Sequence, residues 1–308
     1  MTSLLNGRYL SRLLVAFILY TALIMIFFAL GNMGEDFSKW FGQALLISAA
    51  SFVVIVFVMN FATFMSPAGR LYSKAREQMR NGSYYAAAEL FDQAVRHSPA
   101  RTEYYYGRAE ARARLGDLHG ALADYATTID ATPIYLPLGP SVAYDAYIAR
   151  ASLYGQMLGD YHSAAREAGE AIAMYPRRAA AYLARADAYV KTNNLPAALV
   201  DLDTAASLAP NDAIVYNNRG YVHYLRGDLT AAGRELLTAV NLNPNLWQPH
   251  YHLAQVFAAQ GDRARVLSSL RRAIELNRQP AAQARLDAAF ANLRGDAEFG
   301  QLTAPGSG

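Results

Sequence analysis

The sequence contains no cysteine, which removes disulfide frameworks, thiolate metal sites and cysteine nucleophiles. Histidine is sparse: His97, His119, His162, His223, His250 and His252 make up the whole set of six. Only His250 and His252 are neighbours, and at i and i+2 of a helix they leave on different faces, so they form no metal-binding pair. No G-x-x-x-x-G-K-[ST] loop is present, and no G-x-G-x-x-G turn follows a strand pattern. Dense basic runs are missing as well. The net charge is +3, and Arg177-Arg178 and Arg271-Arg272 are the nearest approach to a cluster. Nucleic-acid affinity needs a basic stripe to neutralise phosphates. The sequence therefore offers no catalytic residue, no cofactor or metal site and no nucleic-acid partner.

Charge itself is nearly absent from the first 66 residues, which hold only Arg8, Arg12, Glu35, Asp36 and Lys39. Residues 13–30 and 43–65 contain no charged side chain at all. As helices rising 1.5 Å per residue, each matches the roughly 30 Å hydrocarbon core of a bilayer. The sequence thus predicts a transmembrane hairpin over residues 1–66. Arg8 and Arg12 also resemble the basic start of a signal peptide, but 18 uninterrupted apolar residues exceed the usual signal core and favour a retained anchor. Arg8 and Arg12 precede the first span, and Arg70, Lys74, Arg76 and Arg80 follow the second. The positive-inside rule then places both termini, and everything after residue 66, in the cytoplasm. Ser48, Ala49, Ala50 and Ser51 are small enough to let the second span pack against other integral membrane subunits.

Beyond the apolar segment the sequence repeats. Pro99, Pro133, Pro176, Pro210 and Pro244 are separated by 34, 43, 34 and 34 residues. Gly82, Gly116, Gly159, Asn193, Gly227 and Gly261 keep the same spacing. Small residues recur in register: Ala87, Ala121, Ala164, Ala198 and Ala232 in one column, with Val266 in the sixth unit. Ala94, Thr128, Ala171, Ala205, Ala239 and Ala273 form a second, and Ala75, Ala109, Ala151, Ala186, Gly220 and Ala254 a third. Phe91, Tyr125, Leu202, Leu236 and Leu270 supply bulk beside them. Each unit reads as two short helices joined where Gly or Asn permits φ > 0 and ended by proline. Asp117, Asp160, Asp228 and Asp262 follow the turn residue and read as N-caps, not as a carboxylate site.

These columns, and the phrase VYNNRGYVHYLRGDLTAAGRELLTAVNLNP over residues 215–244, resemble the tetratricopeptide repeat family. The resemblance implies an all-α fold: the two-helix transmembrane hairpin, then a right-handed α-solenoid of six helix pairs, then a C-terminal capping helix. The repeats fall at 68–101, 102–135, 144–178, 179–212, 213–246 and 247–280. The third fits only with one extra residue before Gly159, and residues 135–142, with Pro137 and Pro140, form an insertion. That insertion is either a tolerated surface loop or a partner-contacting one. Residues 282–293 read as the cap, with Leu286, Ala289, Phe290 and Leu293 facing the last repeat and Arg285, Asp287 and Asn292 facing water. Residues 303–308 read as a small, polar tail.

The resemblance also implies protein or peptide partners, bound on a concave face lined by the first helix of each pair. The lining positions correspond here to Tyr72, Arg76, Arg80, Glu103, Tyr106, Glu110, Asp187, Lys191, Asn217, Tyr221, Tyr224, Tyr251 and Gln255. Tyr105, Tyr182 and Tyr216 fall instead at the family's aromatic packing position. Members that clamp chaperone C-termini are similar to one another in paired asparagines and lysines on successive first helices. Here the relevant position reads Ser73, Gly107, Ala184, Asn218 and His252, which argues against that specialisation. The expected function is a membrane-anchored, non-enzymatic scaffold; the alternative is an accessory subunit of a larger membrane complex.

Overall fold

The computed structural model describes residues 66–132 and 142–304. Both expected membrane spans and most of the insertion lie outside the described residues. Among the described residues no helix is long and apolar enough to cross a membrane, and there is no strand. The chain divides into two compact units after Ala146.

In the first unit, α1 (Pro67–Arg80) pairs with α2 (Tyr84–His97), and α3 (Thr102–Leu115) with α4 (Leu118–Ala131). The unit boundary falls within α5 (Val142–Ser152), which runs on as a π-helical turn, Leu153–Met157. In the second unit that turn packs on α6 (Tyr161–Met174). Three further pairs follow: α7 (Ala179–Lys191) with α8 (Leu195–Leu208), α9 (Ala213–Leu225) with α10 (Leu229–Leu242), and α11 (Trp247–Ala259) with α12 (Arg263–Leu276). The C-terminal elements are α13 (Gln279–Leu286), a 3₁₀ turn (Ala288–Leu293) and α14 (Ala297–Thr303).

Local chemistry accounts for the helix boundaries. Ser66 Oγ accepts the Gly69 N–H at 3.0 Å, and Pro67 opens α1 at the position where a missing donor costs nothing. Asp117, Asp160, Asp228 and Asp262 accept from the N–H groups of Gly120, Ser163, Ala231 and Arg265 at 2.9 to 3.0 Å. Each second helix is therefore capped by the aspartate expected from the sequence. The turn column is left-handed in all six units, from φ 58° at Asn193 to φ 83° at Gly116. The extra residue in the third repeat is absorbed by the π turn, which widens the helix locally instead of looping out.

The small-residue columns are the contact surfaces between helices. Ala75, Ala87, Ala94, Ala109 and Ala121 in the first unit are wholly buried, as are Ala198, Ala205, Ala232, Ala239, Ala254 and Ala273 in the second. Thr128 replaces alanine without loss, because its hydroxyl donates to the Asp124 carbonyl at 2.8 Å. Phe91, Leu202, Leu236 and Leu270 fill the space beside them with no exposed surface. The prolines contribute a second function: the Pro176 and Pro210 carbonyls accept from the hydroxyls of Tyr182 and Tyr216, each at 3.0 Å. His250 Nε2 makes the equivalent bond to Pro244 at 3.3 Å, so this histidine stands in for the repeat's packing tyrosine.

A set of ion pairs was not anticipated. Arg108, Arg150, Arg185 and Arg219 on the first helices meet Asp124, Glu167, Asp201 and Glu235 on the second helices of the same repeats. Arg185 grips Asp201 through two bonds of 2.8 Å, and Arg108 holds Asp124 at 2.9 and 2.8 Å. Arg108 reaches back to Asp92 at 2.7 Å and Arg219 to Asp203 at 3.2 Å, so these two guanidinia also join adjacent repeats. All four carboxylate side chains are buried. Removing one member of such a pair strands the other charge and costs about 3–5 kcal/mol.

The expected single capping helix is broken. Asp287 leaves the helical region (φ −67°, ψ 127°) and caps the 3₁₀ turn by accepting the Ala289 N–H at 2.9 Å. Leu286, expected on the buried face, is 84% exposed, because the break rotates it outward. Phe290 and Phe299 carry the capping instead, in one cluster with Tyr251, Val266 and Leu270. Thr303, expected to open a solvated tail, is buried and donates to the Phe299 carbonyl at 2.8 Å.

Gly220 and Gly233 offer a direct comparison of close and open positions in the same helix pair. A Cβ on Gly220 would lie 2.7 Å from Leu236 Cγ and 3.2 Å from the Ala232 carbonyl, whereas one on Gly233 would meet nothing within 4 Å. Gly220→Ala is expected to lower stability by about 1–3 kcal/mol, and Gly233→Ala to raise it by about 0.5–1 kcal/mol. Thermal unfolding followed by circular dichroism reads both; equal effects would contradict the packing described.

Candidate functional site

The residues expected to line a partner surface fall into two groups. In the first unit, Tyr72 and Tyr106 are half-buried on α1 and α3. The Tyr72 ring centroid lies 5.1 Å from Tyr104 and 5.7 Å from Phe91, and Tyr106 meets Tyr125 edge-on at 5.6 Å. Burial raises the hydroxyl pKa of both, so each is a fixed neutral donor at physiological pH. Arg76, exposed on α1, reaches Glu110 on α3 at 2.8 Å. Burial nonetheless holds the Glu110 pKa above the usual carboxylate value, outweighing the guanidinium. Glu103 pairs with Arg101 at 3.1 Å, and Arg80 is exposed at the end of α1.

The second unit brings Asp187, Asn217, Tyr221 and Tyr224 onto the first helices α7 and α9. Asp187 and Lys191 are exposed, and Tyr221 and Tyr224 are half-buried with ring centroids 6.3 Å apart. Tyr221 also lies flat on His252 of α11, at 4.5 Å and 29°. Asn217 is only 6% exposed. Its Nδ2 donates to Asn218 Oδ1 at 3.0 Å, while its own Oδ1 has no hydrogen-bond partner.

Two of the expected lining residues belong elsewhere. Tyr251 has no exposed surface, and Gln255 is 7% exposed. The Tyr251 hydroxyl donates to Asp287 Oδ2 at 2.7 Å, and Gln255 Nε2 donates to the same oxygen at 2.8 Å. Both are thus taken up by the chain's own C-terminal turn and are closed to a partner. Asp287 was expected to face water. Its repositioning follows from the hydrogen bonds a helix interior denies it: aspartate competes well for side-chain and turn contacts and poorly for helix interiors. That preference is the one signal in the sequence that pointed to the break.

His252 completes this cluster. Its Nδ1 lies 2.8 Å from Gln255 Oε1, and burial lowers its pKa below the ordinary imidazole value against the opposing pull of Gln255 and Asp287. Among the described residues no group of three or more His, Asp or Glu side chains could hold a metal ion.

Comparison with known proteins agrees with this architecture. Residues 72–133 match the family described as Tetratricopeptide repeat, and residues 186–227 match one described as TPR repeat. The Protein SGT1 homolog of Oryza sativa subsp. japonica is 39% identical over 66 residues, 21% of this chain. That stretch spans only 18% of the rice protein's length. Among solved structures, the APC/C hetero-tetramer Cut9-Hcn1 superposes with a TM-score of 0.59 at 15% identity, covering 90% of this chain and 52% of that one. PilW, a type IV pilus biogenesis factor, gives a TM-score of 0.58 at 16% identity, covering 76% of this chain and 97% of its own. At these identities the likeness is one of fold. The chain carries tetratricopeptide repeats, a fold suited to protein interactions.

A lowered imidazole pKa has a defined consequence for stability. Burial keeps His252 and His250 neutral in the folded chain, whereas the unfolded forms protonate as pH falls through about 6.5. Their contribution is therefore complete above that value and is lost as pH falls through the lower folded-state values. The melting temperature of the wild type is expected to fall more between pH 7.5 and 5 than that of the His250→Gln/His252→Gln double variant. Equal slopes would show that neither ring is held neutral by the fold.

Proposed function

We propose that this chain is a membrane-anchored, non-enzymatic scaffold that binds protein or peptide segments on the first-helix face of its repeats, on the cytoplasmic side. The observation that carries the reading is the half-exposure of Tyr72, Tyr106, Tyr221 and Tyr224 on first helices whose opposite faces are committed to packing. Tyrosines of this kind offer a large apolar contact with a polar tip and little entropy to lose. The anchor is supported by the uncharged stretches at residues 13–30 and 43–65 and by the basic residues flanking them.

A second reading, an accessory subunit of a membrane complex, is favoured by one specific feature. Ser66 caps α1 directly, so the first repeat begins at the residue after the second apolar stretch, with no linker sequence between them. The small residues at 48–51 suit close contact with neighbouring membrane helices.

Carbonate extraction of native membranes tests the anchor: the full chain is expected in the pellet and a chain starting at Ser66 in the supernatant. A full chain released by carbonate overturns it. Tyr72→Ala, Tyr106→Ala and Tyr224→Ala combined should weaken crosslinked capture of cytoplasmic partners at least about tenfold, with helical circular dichroism unchanged. Capture at wild-type strength removes the first-helix face from consideration. Co-migration of integral membrane proteins after gentle detergent extraction supports the second reading, and a lone monomer contradicts it.

A further inference from the structure

The two units present different chemistry on their first-helix faces, and the difference identifies what the second one takes. This step rests on the reading of that face as a partner surface. In the first unit Arg76 already pairs with Glu110 at 2.8 Å, so the chain meets its own charge there. In the second unit Asp187 is exposed and takes no ion-pair partner among the described residues. Lys191, one turn further along α7, lies toward the helix end.

Four features converge around Tyr221. Asn217, one turn before it on α9, buries an amide oxygen that meets no donor, an arrangement that is unfavourable unless something supplies a hydrogen. Tyr221 and Tyr224 present ring faces at 24° to each other. Asp187 and Asp287 both act on the Tyr221 hydroxyl and, after burial, raise its pKa further, which places two carboxylates close to the ring. The surroundings are rich in acceptors and π faces and poor in donors. A ligand group that satisfies them carries positive charge, several N–H donors and a flat face.

We propose that Asp187, Asn217 and Tyr221 form a subsite for the guanidinium of an arginine in an extended segment of a partner protein. A guanidinium directs its N–H groups in-plane to a carboxylate and an amide oxygen while its face lies against tyrosine, which an ammonium cannot reproduce. The chain contains its own template for this geometry. Arg108, Arg185 and Arg219 each lie over a tyrosine ring, Tyr105, Tyr182 and Tyr216, at 5.4, 6.0 and 5.2 Å. Each of them at the same time binds a carboxylate. The subsite around Tyr221 has the tyrosine and the carboxylate but no arginine of the chain.

The test uses the full-length chain in detergent and fluorescent Gly-Ser peptides that differ at one central residue: arginine, citrulline, lysine or glutamate. Each peptide also carries a photo-crosslinking group. The arginine peptide is expected to bind at least about tenfold more tightly than the citrulline and lysine peptides. Asp187→Asn is expected to abolish that preference, and Glu170→Gln, which removes an exposed carboxylate on α6, to leave it intact. Equal binding of arginine and citrulline, equal binding of arginine and lysine, tighter binding of glutamate, or equal losses in the two variants would each overturn the proposal. Crosslinks on α7 and α9 without charge preference would sink the arginine subsite and leave the partner face standing. Crosslinks confined to second-helix positions such as Val200 and Leu237 would sink the partner face itself.

Discussion

No helix pair in this chain can bury its own apolar side, and everything else follows from that constraint. A pair such as α9 and α10 closes on itself through Gly220, Ala232 and Leu236, yet Leu236 also needs Leu253 and Val256 of the next pair to complete its shell. Phe91 fills the space above Gly107, across the boundary between the first and second repeats. Stability is thus distributed along each unit as a chain of neighbour contacts, in the manner of repeat arrays. The terminal repeat has no further neighbour, and the cap supplies one: Ala284, Phe290 and Phe299 cover Val266 and Leu270.

Polar groups placed inside this stack impose a second layer of order. Apolar columns alone tolerate sliding, whereas the two-bond grip of Arg185 on Asp201 admits one register. The same reasoning applies to Asp287, whose carboxylate joins Tyr251, Gln255 and the Ala289 N–H. That junction fixes the cap against the last repeat and consumes two side chains that the repeat pattern alone assigns to a partner. Functional surface in a repeat array is therefore what packing and capping leave over, and here it centres on Asp187, Asn217, Tyr221 and Tyr224 in the second unit.

The fold was legible in the sequence wherever a residue's role depends on its place in the repeat. Gly116, Asn193 and Asp228 could be assigned to turns and caps because backbone geometry admits few residue types there. The alanine columns were legible for the same reason. The arginine forks went unread although Arg185 and Arg219 recur 34 residues apart, as do Asp201 and Glu235. A charged column on an amphipathic helix looks solvated until the facing carboxylate is placed. The candidate site was legible only in part. Tyr221 and Tyr224 follow from repeat position, but the burial of Tyr251 depends on a cap that lies outside the repeat and breaks at Asp287. No periodicity encodes that contact.

Hydrogen exchange of the full-length chain, compared with one ending at Asn277, tests the neighbour-stacking claim most directly. Without α13, the 3₁₀ turn and α14, the account predicts that amide protection falls most in α11 and α12, less in α9 and α10, and least in α7 and α8. Uniform loss across all six helices, or full protection of α11 and α12 without their cap, would contradict it.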